Sequence, residues 1–259
     1  MCVVLMAVLA ALLAQQPETL SLLGEPLYPP KLPRAERTKA EAELARAHAA
    51  YMSKPSGPAE ILALHDAHVA LGRIGDALVV LTHGIEANLE EPQLYLARGR
   101  GYITIRKFDA AERDFRKAAA TLPSARCSVG LAQYLAGQFE RARESYTDCG
   151  NAGIFAYLAE RRSGRAANRP ASVEGRLPSG PPPIRLPGTV KRGSEPAPEP
   201  IAASYLAAIE RLLAGDEDGT RDRLKNIVEK NRHDWMEPAY IAAEADYARL
   251  KKPERRKGS

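Results

Sequence analysis

The sequence predicts an all-α protein assembled from stacked helical hairpins. Three observations carry that expectation. Alanine and leucine dominate the middle of the 259 residues while β-branched runs are scarce, a composition that favours helix. A pattern of about 34 residues recurs along the chain. Within each copy, small residues and large rings fall three or four apart, on one face of a helix. A lone hairpin of this kind cannot cover its own apolar face, so its copies must stack.

The elements follow in order. Residues 1–14, MCVVLMAVLAALLA, form an unbroken apolar run that gives way to Gln15, Gln16 and Pro17. The run is short of the roughly 20 residues that span a bilayer and suits the core of a secretory signal. No Lys or Arg precedes it. Residues 1–16 are therefore read as a signal peptide, with export to the periplasm or medium; a cytoplasmic protein follows if the run is not a working signal. Residues 17–35 read as an extended segment. Residues 36–54 are rich in Ala, Glu, Lys and Arg and predict a capping helix, stopped by Pro55, Ser56, Gly57 and Pro58.

The array is placed at 58–163. Its clearest copy is 92–125, PQLYLARGRGYITIRKFDAAERDFRKAAATLPSA. Tyr95, Gly99 and Tyr102 share one helical face; Phe108, Ala111, Phe115 and Ala118 share a face of the next helix, and Pro123 closes the unit. Small residues let the two helices approach, and the rings fill the space around the contact. Thirty-four residues earlier, 58–91 offers Ile61, Leu64, Ile74, Ala77, Leu81 and Gly84, with Gly72 and Gly75 marking the turn. A slightly shorter step forward gives Gly130, Gly137, Phe139, Ala142, Tyr146 and Cys149, and 152–162 reads as one more helix or a cap.

From 164 to 200 the periodicity vanishes into proline-rich sequence, including LPSGPPPIRLP at 177–187, which predicts a solvated, disordered linker. Helices are expected again at 201–214, at 220–230 after a turn at 215–219, and at 235–250, as a degenerate repeat; 251–259 is a basic tail.

The order aromatic, small, aromatic, then Ala, Phe, Ala and Pro resembles the tetratricopeptide signature. The opening at 21–30, SLLGEPLYPP, followed by a helix and these repeats, is similar to some exported bacterial tetratricopeptide proteins. That resemblance implies a helical-hairpin solenoid whose first helices line a concave groove that commonly receives a peptide. By position the lining would be Asp66, Val69, Gln93, Leu96, Arg100, Ile103, Leu131 and Tyr134. Leu96, Ile103, Leu131 and Tyr134 would serve as apolar anchors and Arg100 as a bidentate donor. The expected partner is then a protein or peptide with hydrophobic residues and an acidic group. The same apolar residues could instead pack against the capping helix, the linker or the C-terminal helices.

No constellation points to catalysis. His65 and His68 sit three apart around Asp66 and could share a metal, but both fall at core positions of the repeat. Gly99, Arg100 and Gly101 have no strand before them, so they are not a phosphate loop. Glu90 with Glu91, and Asp216 with Glu217 and Asp218, read as solvated turns that complement helix dipoles. No cofactor and no metal are expected. The formal charge of +5 is carried largely by the linker and tail, without base-stacking aromatics, so nucleic-acid binding is not expected. Membrane contact is expected only through the N-terminal signal. Cys127 and Cys149 lie near ends of antiparallel helices that pairing brings together; they form a disulfide or pack as ordinary small residues. The favoured expectation is a non-catalytic protein-binding scaffold. The alternatives are a structural subunit of an envelope assembly or an enzyme accessory subunit, the last with chemistry near His233, Asp234 and Trp235.

Overall fold

The computed structural model describes residues 16–149, 153–168 and 200–251. Nearly all of the expected signal peptide, most of the linker and nearly all of the basic tail lie outside the described residues. What is described is mostly helical with almost no strand, as expected of an all-α chain. Among the described residues no helix is long and apolar enough to cross a membrane.

The N-terminal segment, expected to be extended, contains a short hairpin. Thr19–Leu20 (β1) pairs antiparallel with Pro26–Leu27 (β2) in a two-stranded hairpin. Ser21 closes it, its Oγ accepting from the backbone N–H of Leu23 (3.2 Å) and of Glu25 (3.0 Å). Helix α1 (Arg34–Ser53) then packs against α2 yet buries none of its own residues, so it caps by covering its neighbour.

Three helical pairs follow: α2 (Pro58–Ala70) with α3 (Ile74–Ala87), α4 (Pro92–Thr104) with α5 (Phe108–Ala119), and α6 (Arg126–Leu135) with α7 (Phe139–Cys149). Pro58 and Pro92 open their helices, where a missing N–H costs nothing. Each helix packs on the next in sequence, so the pairs stack in a row with α8 (Ile154–Arg162) after α7. The small positions do what the pattern implied. A Cβ on Gly99 would lie 2.5 Å from the Phe115 ring, and one on Gly130 would lie 3.1 Å from the Tyr146 ring. Glycine, sixteen positions before a buried ring in both pairs, sets the helix separation.

One turn recurs throughout. Each pair is joined by three residues, the middle one in the left-handed region: Gly72 (φ +72°), Arg106 (φ +64°) and Gly137 (φ +83°). The residue after it donates its N–H five residues back, as Lys107 does to Tyr102 (2.8 Å) and Gln138 to Gln133 (2.8 Å). This closes the orphan carbonyls of the first helix. Arg106 is the only residue other than glycine with positive φ among those described.

The C-terminal pair uses the same turn. Helix α9 (Ile201–Leu213) meets α10 (Glu217–Lys230) through Gly215 at φ +86°. Helix α10 starts three residues earlier than the sequence pattern suggested, because the Asp216 carboxylate accepts from the Gly219 N–H (2.9 Å) and caps it. A 3₁₀ turn (Arg232–Asp234) precedes α11 (Pro238–Leu250), which begins at its proline rather than at Trp235. These helices do not stand apart. Helix α9 packs on α8, α11 lies against α4 and α6, and one hydrophobic core runs from Leu27 to Ala243.

Candidate functional site

The groove expected to be open is largely filled by the chain itself. Of its eight residues, Val69, Leu96, Ile103, Leu131 and Tyr134 are buried, the last two at 1 % exposure. Helix α11 covers α4 and α6, which carry four of those five. The reason is entropic: docking a tethered helix forgoes the translational and rotational loss that a separate peptide would incur. Those apolar side chains are core, not free anchors.

Ion pairs mark where the C-terminal helices seat. Arg106, from the second turn, reaches Glu244 of α11 with its Nε 2.7 Å from Oε2, the two side chains 3 % and 0 % exposed. Its Nη1 donates to the Thr104 carbonyl, and its guanidinium lies 5.6 Å from the centre of the Trp235 ring. Burial raises the Glu244 carboxyl above its ordinary value, against the pull of Arg106 and of the Leu22 backbone N–H. Among the described residues Arg106 Nη2 and Glu244 Oε1 have no hydrogen-bond partner.

The second contact is a network around Asp246. Its carboxylate accepts from Tyr205 Oη (2.7 Å), Arg162 Nη1 (2.6 Å) and Arg249 Nη1 (2.8 Å). Tyr134 Oη lies 2.8 Å from Tyr205 Oη, so the network joins α6, α8, α9 and α11. Burial, then the Asp246 charge, pushes the Tyr134 hydroxyl up to about 12. Arg162 also lies over the Phe139 ring, 3.7 Å from its centre, and Arg249 donates to the Leu135 carbonyl.

The N-terminal segment closes the other end. The Gly75 N–H donates to Glu18 Oε2 (3.0 Å), Pro30 packs on Gly72, and Trp235 Nε1–H donates to the Tyr28 carbonyl (3.0 Å). Trp235 is 2 % exposed and works as an anchor for this strap, while His233 beside Asp234 points to solvent.

What stays accessible is the polar rim. Asp66 and Gln93 are exposed, and Arg100 is half-buried between them and the core. Burial pushes the Arg100 guanidinium below its ordinary value and the Asp66 carboxylate pulls against that. Among the described residues the Arg100 guanidinium makes no hydrogen bond and no ion pair. Two open clefts, of 660 and 270 Å³, lie elsewhere, at Arg106 to Arg113 and at Leu78 to His83.

The remaining sequence candidates have structural partners. His65 is buried with Nδ1 2.9 Å from Asp66, and His68 lies 3.7 Å from Asp76. Among the described residues no three His, Cys, Asp or Glu side chains converge as metal ligands would. Glu91 caps α4. Cys127 is buried and disulfide-bonded; the Cys149 side chain lies outside the described part. The residues that seat the C-terminal helices escaped the sequence reading, although two signs were present. Arg106 stands in a turn position where the repeat elsewhere has Gly72 and Gly137, and Glu244 interrupts the apolar run of α11.

The chain matches no protein-family model and no curated protein at a significant level. Its function therefore rests on its own geometry.

Proposed function

We propose that the chain is a tetratricopeptide-type scaffold, non-catalytic and exported, that takes an acidic segment of a partner protein at the rim of Asp66, Gln93 and Arg100. The single observation behind this reading is Arg100. A guanidinium partly withdrawn from water, with no acceptor among the described residues, is a cost to the folded chain. A partner's carboxylate, bound bidentate, would recover that cost and add a charge-assisted pair. The three-residue turn, recurring at steps of 34 and then 31 residues, and the two glycine-on-ring contacts, 31 residues apart, support the tetratricopeptide assignment. The buried apolar lining narrows the partner: it needs an acid, not a long amphipathic helix.

Arg100→Met tests the reading in two assays. Urea unfolding should show equal or slightly greater stability, since the variant removes a half-buried charge that has no ion pair among the described residues. Capture of a partner from envelope extract by the full chain should be lost in the same variant and retained by Arg100→Lys at reduced strength. A stability loss above about 1 kcal/mol would show that Arg100 is a structural ion, and the rim proposal would fail.

A further inference from the structure

The β1–β2 hairpin turns an apolar face outward. Thr19 pairs with Leu27 and Leu20 with Pro26. Because side chains alternate along a strand, Leu20, Pro26 and Tyr28 share one face and Leu27 takes the other. Leu27 is 2 % exposed and seals the core, whereas Leu20 is 56 % and Tyr28 49 % exposed, with Leu22 at 38 % in the connecting turn. Scattered exposed leucines are ordinary; this many apolar side chains in nine consecutive residues make a patch. The patch is held in place. Trp235 fixes the Tyr28 carbonyl, Arg232 pairs with Glu25, and Ser21 ties the turn.

The flanking sequence indicates what covers this face. Upstream, the apolar run 1–14 ends six positions before Leu20, at most about 20 Å of extended chain away. Downstream, Lys31, Arg34, Arg37 and Lys39 are all exposed, beginning three residues after Tyr28. None of the four pairs with an acid among the described residues, and Glu36 is the one acid between them. We infer that the hairpin face rests on a lipid surface with anionic headgroups. Leu20, Leu22 and Tyr28 enter the interfacial layer, where a tyrosine ring and hydroxyl are both satisfied. The four cations then meet headgroup phosphates. Neither half suffices alone; apolar insertion and basic charge together give stable attachment. This surface is independent of the Arg100 rim.

Co-sedimentation of the full chain with phosphatidylcholine vesicles, with and without phosphatidylglycerol, tests it. The wild-type chain should partition about tenfold more strongly onto the anionic vesicles. Leu20→Glu/Tyr28→Glu should lose about tenfold on those vesicles. Lys31→Glu/Arg34→Glu should lose a similar factor there and none on neutral vesicles. Unchanged emission from Trp235, the only tryptophan, reports that the hairpin is still seated; if it shifts in the first variant, the second decides. A seated hairpin variant that binds anionic vesicles like the wild type overturns the inference, because residues 1–14 would then hold the chain unaided. Self-association relieved by the hairpin variant, without a change in vesicle binding, gives the face to a second copy and overturns it equally.

Discussion

Replacing Arg106 by glycine sets two effects of known sign against each other. At φ +64° this residue sits where the other hairpin turns carry Gly72, Gly137 and Gly215. An L-residue there costs about 1–2 kcal/mol of backbone energy, which glycine recovers. The substitution also removes the one charged partner of Glu244 among the described residues, a carboxylate with no exposure at all. Leaving one member of a buried pair uncompensated costs about 3–5 kcal/mol. The net expectation for Arg106→Gly is a loss of about 1–4 kcal/mol, the pair outweighing the turn. For a folded unit of this size that is a drop in Tm of roughly 2–16 °C, readable by calorimetry. Arg106→Gly/Glu244→Met should recover most or all of it, since an apolar replacement of a buried pair is often neutral or stabilising. If the single variant melts at or above the wild type, or the double variant melts no higher than the single, the buried pair does not hold α11 on the array.

Other perturbations read other parts of the same argument. Gly99→Ala should cost about 1–2 kcal/mol, because overpacking against Phe115 exceeds the gain in helix propensity; Gly75→Ala, whose Cβ would meet only Glu18 Oε2 at 3.6 Å, should not. The two urea midpoints compare directly, and equal values would remove glycine as the spacer of the hairpin. Burial raises the Glu244 carboxyl, so the folded chain holds this proton more tightly than the unfolded one. Its contribution is therefore fully present below the ordinary glutamate range and falls as pH rises through the raised value. Unfolding from about pH 4 to about pH 7 should show that decline in the wild type and a shallower one in Glu244→Gln. Reduction should lower stability by about 3 kcal/mol if the Cys127 bridge closes the 22-residue step to Cys149. Alkylation followed by mass spectrometry should then find Cys127 free in Cys149→Ser, and a still-blocked Cys127 would assign it another partner.

Local chemistry made most of the helical layout legible. Pro58 and Pro92 open helices, Gly72, Gly137 and Gly215 close them, and the recurrence of Gly99 with Phe115 and Gly130 with Tyr146 declares two helices in close contact. All of this acts within one hairpin, over separations the chain itself spans, so periodicity alone can report it. Helix starts were less legible where a side-chain cap or a proline decided them, as at Asp216 and Pro238. The groove was legible only as a list of residues sharing a face. Whether Leu96, Ile103, Leu131 and Tyr134 meet a partner or the chain's own α11 depends on contacts across more than a hundred residues, such as Arg106 with Glu244. Periodicity carries no term for such a contact, because it says which face is apolar and not what will cover it. Folding decides that by burying the nearest tethered apolar surface first, which leaves Arg100 at the rim without an ion pair among the described residues.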